Sequence, residues 1–151
     1  MYKKIIRFIL FCFCITVTIF FLYFNNTYFL NSTTKNFYTQ LKDSLESRGF
    51  SKKLLVVSTK RIKIHNDLLV KYNSAAKESN HLKGNALDFI VLDVNNDGKS
   101  NSIDVDIVFE ILDKEIIKNN GGIGTYKNES SFLNKQMIHI DARGNAARWA
   151  Y

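Results

Sequence analysis

Ser79-Asn80-His81-Leu82-Lys83-Gly84-Asn85-Ala86-Leu87-Asp88 is the stretch on which the reading of the chain turns. It sets an imidazole and a carboxylate seven residues apart with a glycine between them. Glycine reaches backbone conformations closed to other residues, so the chain can fold tightly at Gly84 and bring His81 and Asp88 together. Phe89-Ile90-Val91-Leu92 follows, a short apolar run of the kind a buried strand presents. Nitrogen and oxygen donors suit zinc. A third donor is available in Met137-Ile138-His139-Ile140-Asp141, where strand alternation puts His139 and Asp141 on one face. Zinc held by His81, Asp88 and His139, with the Asp141 carboxylate beside them, keeps its fourth position open for water.

These residues form the pattern S-x-H-x-x-G-x-A-x-D, with H-x-D further along. The pattern resembles that of the zinc D-alanyl-D-alanine carboxypeptidases, in a superfamily that also holds phage endolysins of this type and the hedgehog signalling domain. The resemblance runs from about Leu54 to Trp149. Ser58-Thr59-Lys60-Arg61 resembles the family's S-x-x-R, and Tyr72-Asn73-Ser74-Ala75-Ala76 its N-x-A-A stretch. Gly121-Gly122-Ile123-Gly124-Thr125-Tyr126, His139-Ile140-Asp141-Ala142-Arg143-Gly144 and Ala147-Arg148-Trp149 fit as well. Several motifs in the right order make the signal specific, where any one alone is weak.

The resemblance implies an α+β fold of the hedgehog and D-Ala-D-Ala-peptidase type, a small antiparallel sheet with helices packed on it. It implies a zinc peptidase that cleaves peptidoglycan stem peptides or cross-links next to a D-amino acid, as carboxypeptidase or endopeptidase. Arg61 would anchor a substrate carboxylate, which suits a planar two-pronged donor. Ser79 would bond substrate or serve a turn, and Tyr126 and Trp149 would line the cleft or pack in the core. A zinc peptidase also needs a base. Some relatives place an acidic residue three positions before the last histidine ligand; here that position is Gln136, which cannot take a proton. Asp141 is then either the base or the partner that orients His139, with Glu129 a distant alternative. His65 lies outside every motif and reads as surface.

A second metal loop follows the first. Asp93-Val94-Asn95-Asn96-Asp97-Gly98-Lys99-Ser100-Asn101-Ser102-Ile103-Asp104 fits the calcium pattern D-x-N-x-D-G. Oxygen donors at Asp93, Asn95 and Asp97, the Lys99 carbonyl and the Asp104 carboxylate are what a hard cation needs. Aspartate at the twelfth position resembles the dockerin form of the loop. The alternative is an Asn/Asp/Gly connector with no metal. Residues 93–104 read as an insertion whose calcium would clamp Leu92 to the following helix.

The 151 residues leave room for one domain, 27–151, once residues 1–26 are set aside. Residues 8–24 are almost wholly apolar, and Lys3, Lys4 and Arg7 precede them. Positive charge on that side alone predicts a signal anchor with the domain facing the periplasm or cell wall from the inner membrane; a cleaved signal peptide, giving a secreted protein, is the rival. Both cysteines, Cys12 and Cys14, lie in this segment, so the domain has no disulfide to form. The net charge of +7 includes the three anchor positives. The modest remainder favours an anionic wall polymer or is an ordinary solvated surface, and no basic run interleaved with aromatics points to nucleic acid. A monomer is expected.

Ser32, Thr33 or Thr34 can cap a helix over 36–47, with Phe37, Leu41 and Leu45 on its apolar face and Gly49 as its stop. Residues 54–57 read as a strand. Residues 64–72 read as a helix with Leu68, Leu69 and Tyr72 turned inward. Residues 103–118 read as a helix with Ile107, Val108, Ile111, Leu112 and Ile116 as its buried stripe, ended by Gly121-Gly122. Strands over 123–126 and 137–141 complete the sheet. Two rivals to an enzyme remain: a catalytically inactive zinc-binding wall module, and a calcium-dependent adaptor.

Overall fold

The computed structural model describes residues 2–24, 27–72, 75–127 and 136–151. Along them run helices α1 (Tyr2–Phe24) and α2 (Ser32–Ser47), strand β1 (Leu54–Ser58), helix α3 (Lys63–Lys71), strand β2 (Ala86–Val91), helix α4 (Ser102–Ile111), and strands β3 (Gly122–Tyr126), β4 (Met137–Asp141) and β5 (Ala147–Ala150). The architecture is α+β, as the sequence predicts.

The five strands form one sheet in the order β1-β2-β4-β3-β5. Every neighbouring pair is antiparallel except β3 and β5, which are parallel. The expected all-antiparallel sheet is therefore a mixed one. After β4 the chain returns through residues 142–146, passes β3 and pairs along its free edge, so β5 opposes β4 and runs with β3. Ala147-Arg148-Trp149 was legible as a motif but too short and mixed in character to announce a strand.

Alternation sorts the sheet into two faces. Leu87, Phe89 and Val91 of β2, Ile138 and Ile140 of β4, and Ile123 of β3 are fully buried. They pack with Leu41 and Leu45 of α2 and Val105, Val108 and Ile111 of α4 in one core. Each such side chain contributes about 1.5–3 kcal/mol by leaving water. Asn31 caps α2, its side chain accepting from Thr34 N at 2.7 Å, one position ahead of the residues expected to do so.

Two helices depart from the sequence reading. In α3, Leu68 is 52% exposed, and Tyr72 just past its end is 71% exposed, while Leu69 is half-buried and Asn66 is the buried residue; of the three side chains expected to turn inward, two face outward. Beyond α4 the chain continues as a π-helical segment, Leu112–Ile117. Its wider turn shifts which residues face the core. Val105 and Ile117 are fully buried, while Ile107 and Ile116 only pack against its margin.

The expected membrane anchor is overturned. Among the described residues no helix is long and apolar enough to cross a membrane. Lys3, Lys4 and Arg7 occupy the first two turns of α1. The uncharged remainder, 8–24, is about 25 Å long at ~1.5 Å per residue, short of the ~30 Å hydrocarbon layer. Membrane attachment through this helix and an inner-membrane location go with it.

Candidate metal centre

Strand register builds the site. Ser58 of β1 stands opposite Asp88 of β2, Asp88 opposite His139 of β4, His139 opposite Gly124 of β3, and Gly124 opposite Trp149 of β5. This row crosses the sheet on the face turned away from the hydrophobic core. Gly124 keeps the row open: a Cβ there would lie 2.4 Å from the Trp149 indole. The indole sits 5.4 Å from the His139 ring, centroid to centroid.

His81 arrives from outside the sheet, on a 3₁₀ turn spanning Asn80–Lys83. Ser79 caps the turn by accepting from His81 N at 3.3 Å. Gly84 closes it at φ +71°, a left-handed conformation, against the Phe29 carbonyl that a Cβ would meet at 2.6 Å.

The His81 ring is oriented by the backbone. Its Nδ1 lies 2.6 Å from the Thr59 carbonyl oxygen. A carbonyl only accepts, so Nδ1 carries a proton, and in the neutral ring Nε2 presents a lone pair. That Nε2 is buried without a hydrogen-bond partner and lies 3.1 Å from Asp88 Oδ2. Two lone pairs facing each other at that distance repel unless a proton or a metal ion lies between them. The other Asp88 oxygen, Oδ1, is 2.6 Å from His139 Nδ1. One donor atom from each of His81, Asp88 and His139 lies within 4.8 Å of the others. Among the described residues, this group can hold a metal ion.

Behind His139 stands Asp141, with no exposed side-chain surface. Its Oδ2 is 3.0 Å from His139 Nε2. Arg143 donates to both of its oxygens, Nε to Oδ1 at 2.7 Å and Nη2 to Oδ2 at 2.6 Å. A carboxylate receiving the far nitrogen of a histidine fixes the tautomer that leaves the near nitrogen free for a metal.

The electrostatics are those of a tight cluster. Burial disfavours the Asp88 carboxylate, but His81 and His139 outweigh it and hold its pKa well below the usual range. Burial likewise opposes the Asp141 charge, and bonds from His139 and Arg143 bring its pKa down. Burial pulls the His139 imidazolium down, yet hydrogen bonds to Asp141 and Asp88 prevail and push its pKa up to about 9.

Other expected site residues sit differently. Arg61 is not turned to solvent to await a carboxylate: its side chain is 12% exposed, with Nη2 2.8 Å from Asp88 Oδ2 and Nε on Ser58 Oγ at 2.9 Å. Ser79 serves the turn. Tyr126 ends β3 stacked on Tyr151, ring centroids 5.0 Å apart. His65 is half-buried rather than on the surface. Gln136 exchanges two hydrogen bonds with Ser100, its Nε2 donating to the carbonyl at 2.5 Å and its Oε1 accepting from Oγ at 2.7 Å. Glu129, Asn73 and Ser74 lie outside the described residues.

The 93–104 loop is held by hydrogen bonds among its own residues. Asp104 Oδ1 accepts from Val94 N at 2.9 Å and Asn95 N at 3.2 Å, and Oδ2 from Asn101 N at 2.9 Å. With Asn101 it forms the capping box of α4. Asn95 accepts from Asp97 N, and Asp97 from Lys99 N. Asp93 pairs with Lys53 at 3.2 Å. The carboxylate at the twelfth position is thus bonded to backbone N–H groups, while Asp93 Oδ1 at the first position is buried without a hydrogen-bond partner.

Sequence reasoning missed the Thr59 carbonyl and the place of Arg143. A backbone acceptor leaves no trace in residue type. Arg143 is two residues past Asp141, inside the His139–Gly144 motif, and that spacing was a usable signal. No protein-family model and no curated protein matches the chain.

Proposed function

We propose that the chain is a zinc-dependent peptidase acting on peptidoglycan stem peptides or cross-links, with His81, Asp88 and His139 as the zinc ligands. One observation carries the metal: the buried, unpartnered His81 Nε2, held as an acceptor by the Thr59 carbonyl and aimed at an Asp88 oxygen. Two nitrogens and a carboxylate oxygen form a donor set suited to zinc. Zinc in a three-ligand site supplies Lewis-acid polarisation of a carbonyl and a nucleophile from water at neutral pH. The motif resemblance supplies the substrate class.

The chain's own residues do the rest. Asp141, fixed by Arg143, orients His139 from behind. Arg61 holds the second oxygen of Asp88 and offsets its charge. Trp149 covers one side of the His139 ring and limits water there.

A second reading has its own support. Gln136 stands where some members of the resembled family carry an acid, and Asp141 is buried and fully engaged, so a zinc-binding module without hydrolysis is the rival. Metal analysis of the purified chain, with mass analysis of muropeptides incubated with it, separates the two. One zinc per chain and new cleavage products are expected; zinc without products selects the module.

A further inference from the structure

We propose that the free edge of β5 and the cavity beside it form a docking site for an extended segment of a partner protein, which adds as a further strand and seats an apolar side chain in the cavity. β5 ends the sheet and pairs with β3 on one side. On that side Ala147 N donates to the Gly121 carbonyl at 3.3 Å and Tyr151 N to the Thr125 carbonyl at 2.9 Å. Successive residues of a strand turn their backbone groups to opposite edges, so Arg148 and Ala150 direct theirs away from β3. Among the described residues, no backbone group bonds to them there. Two N–H groups and two carbonyls therefore stand ready for another strand. Folded proteins commonly blunt such an edge with charge or proline. The chain contains no proline. Arg148, the charged residue of β5, commits its guanidinium to the fold, with Nε on Asp113 Oδ1 at 2.6 Å and Nη1 on the Gly121 carbonyl at 2.7 Å. Neither device guards the edge.

The cavity, about 350 Å³, is lined by Asp106 and Phe109 of α4, Thr125 and Lys127 at the end of β3, and Arg148, Trp149 and Ala150 of β5. Its charges are already paired, Asp106 with Lys127 and Arg148 with Asp113. It therefore has no unmatched charge to offer an ionic group, and Phe109, Trp149 and Ala150 supply apolar surface. Residues paired across neighbouring strands share a face. Arg148 stands opposite the core residue Ile123, and Ala150 opposite Thr125, so this is the face that α4 packs on. A peptide residue paired with Ala150 sends its side chain to the same face, into the cavity. Backbone pairing then supplies affinity and the cavity selects the side chain. None of His81, Asp88 and His139 lines the cavity, and β3 separates β5 from β4. The docking site is thus independent of the peptidase reading.

The test is backbone amide exchange, read residue by residue, on the purified full chain with three end-capped pentapeptides. One alternates threonine with leucine, one has serine in place of each leucine, and one is the leucine peptide N-methylated at every amide. Millimolar leucine peptide should slow exchange at Arg148 and Ala150 at least about tenfold, by the factor 1 + [L]/Kd, and leave Ala147 and Trp149 unchanged. The serine peptide should protect more weakly, and the methylated one not at all. Ala150→Pro removes an outward N–H and spares the bonds to β3, a place where edge strands tolerate proline. It should fold and lose the peptide-dependent protection at Arg148. Ala150→Leu fills the cavity from the chain's own side and should erase the preference for leucine over serine. No protection of Arg148 and Ala150 by the leucine peptide overturns the docking site, as does equal protection by the methylated peptide. Protection of both amides without peptide, together with a dimer in sedimentation, assigns the edge to a second copy and also overturns it. The readout needs neither metal nor turnover, so failure of the peptidase reading leaves it standing.

Discussion

His139 stands directly across from Asp88 in the β2–β4 register, and its Nδ1 lies 2.6 Å from Asp88 Oδ1. Two strands paired over 86–90 and 137–141 therefore deliver, as one rigid unit, two of the three residues that could hold a metal, and the 3₁₀ turn adds the third. This division makes the ligands separable by experiment. His81→Ala removes a donor without touching the sheet, whereas His139→Ala opens a gap under Trp149. Both should reduce zinc to well below one per chain, since a three-ligand site has no spare donor. Thermal stability of the metal-free protein should fall more in His139→Ala. Full zinc content in the double variant would refute the site.

How much of this was readable in the sequence differs by element. His81, Asp88 and His139 were visible because glycine spacing and strand alternation are local rules. The strands under them were visible for the same reason. Arg61 was visible as a charge but not as a partner of Asp88, because burial is decided by the whole fold. Leu68 and Tyr72 look like an inward stripe at helical spacing, yet both side chains are exposed in the fold. Ile117 replaces Ile116 in the core because a π turn breaks the period that the reading assumed. The calcium pattern matched by residue type, but Asp104 sits three residues past Asn101, where a helix start claims its oxygens.

Acidity should reveal the cluster in the metal-free protein. The folded pKa of His139 is raised to about 9, above the ordinary ~6.5. Its stabilising effect is therefore complete below about pH 6.5 and is lost as pH rises through about 9. Asp88 and Asp141 are shifted down, so their contributions are present above about pH 4 and are lost in acid. Melting temperature in chelator should peak in mildly acidic buffer and decline toward pH 9.5. Zinc should abolish the alkaline decline, because a metal held by His139 would replace the proton that the imidazole otherwise needs. A flat profile from pH 6 to 9.5 in chelator would contradict the His139 environment.

Trp149 is the chain's single tryptophan and lies 5.4 Å from the His139 ring. Its fluorescence should respond to zinc titration with a one-to-one end point. Gly124→Ala forces a Cβ toward the indole at 2.4 Å. The indole must move, so the emission should shift and stability should fall by about 1–3 kcal/mol, the usual range for overpacking. Unchanged emission in Gly124→Ala would mean that Gly124 and Trp149 are not packed against each other across the sheet.

Asp104→Ala removes the carboxylate that three backbone N–H groups share. Loss of a capping box costs about 0.5–2 kcal/mol, and leaving the buried Val94 N–H without its acceptor adds about 1–3 kcal/mol. The melting temperature should drop accordingly. Millimolar calcium should leave the wild-type melting curve in place, because the twelfth-position ligand is already engaged. A calcium-dependent rise that disappears in Asp97→Ala would restore the loop as a cation site.

The role of Asp141 is the sharpest division between an orienting carboxylate and a base. Its side chain is fully buried, with Arg143 on both oxygens and His139 Nε2 at 3.0 Å. Asn in its place keeps the shape but turns an NH₂ toward donors on Arg143 or His139, so the imidazole loses its fixed tautomer. Zinc affinity should fall about 10–100-fold, the range for outer partners of a metal ligand. Turnover at saturating zinc should then stay within a few-fold of wild type. Arg143→Gln should act in the same direction and more weakly, since it loosens Asp141 without removing it. A base would behave in the opposite way: zinc affinity unchanged and turnover down by about 10²–10⁴. Measuring zinc affinity and muropeptide cleavage on the same Asp141→Asn preparation decides between them, because an orienting carboxylate costs metal affinity and a base costs turnover.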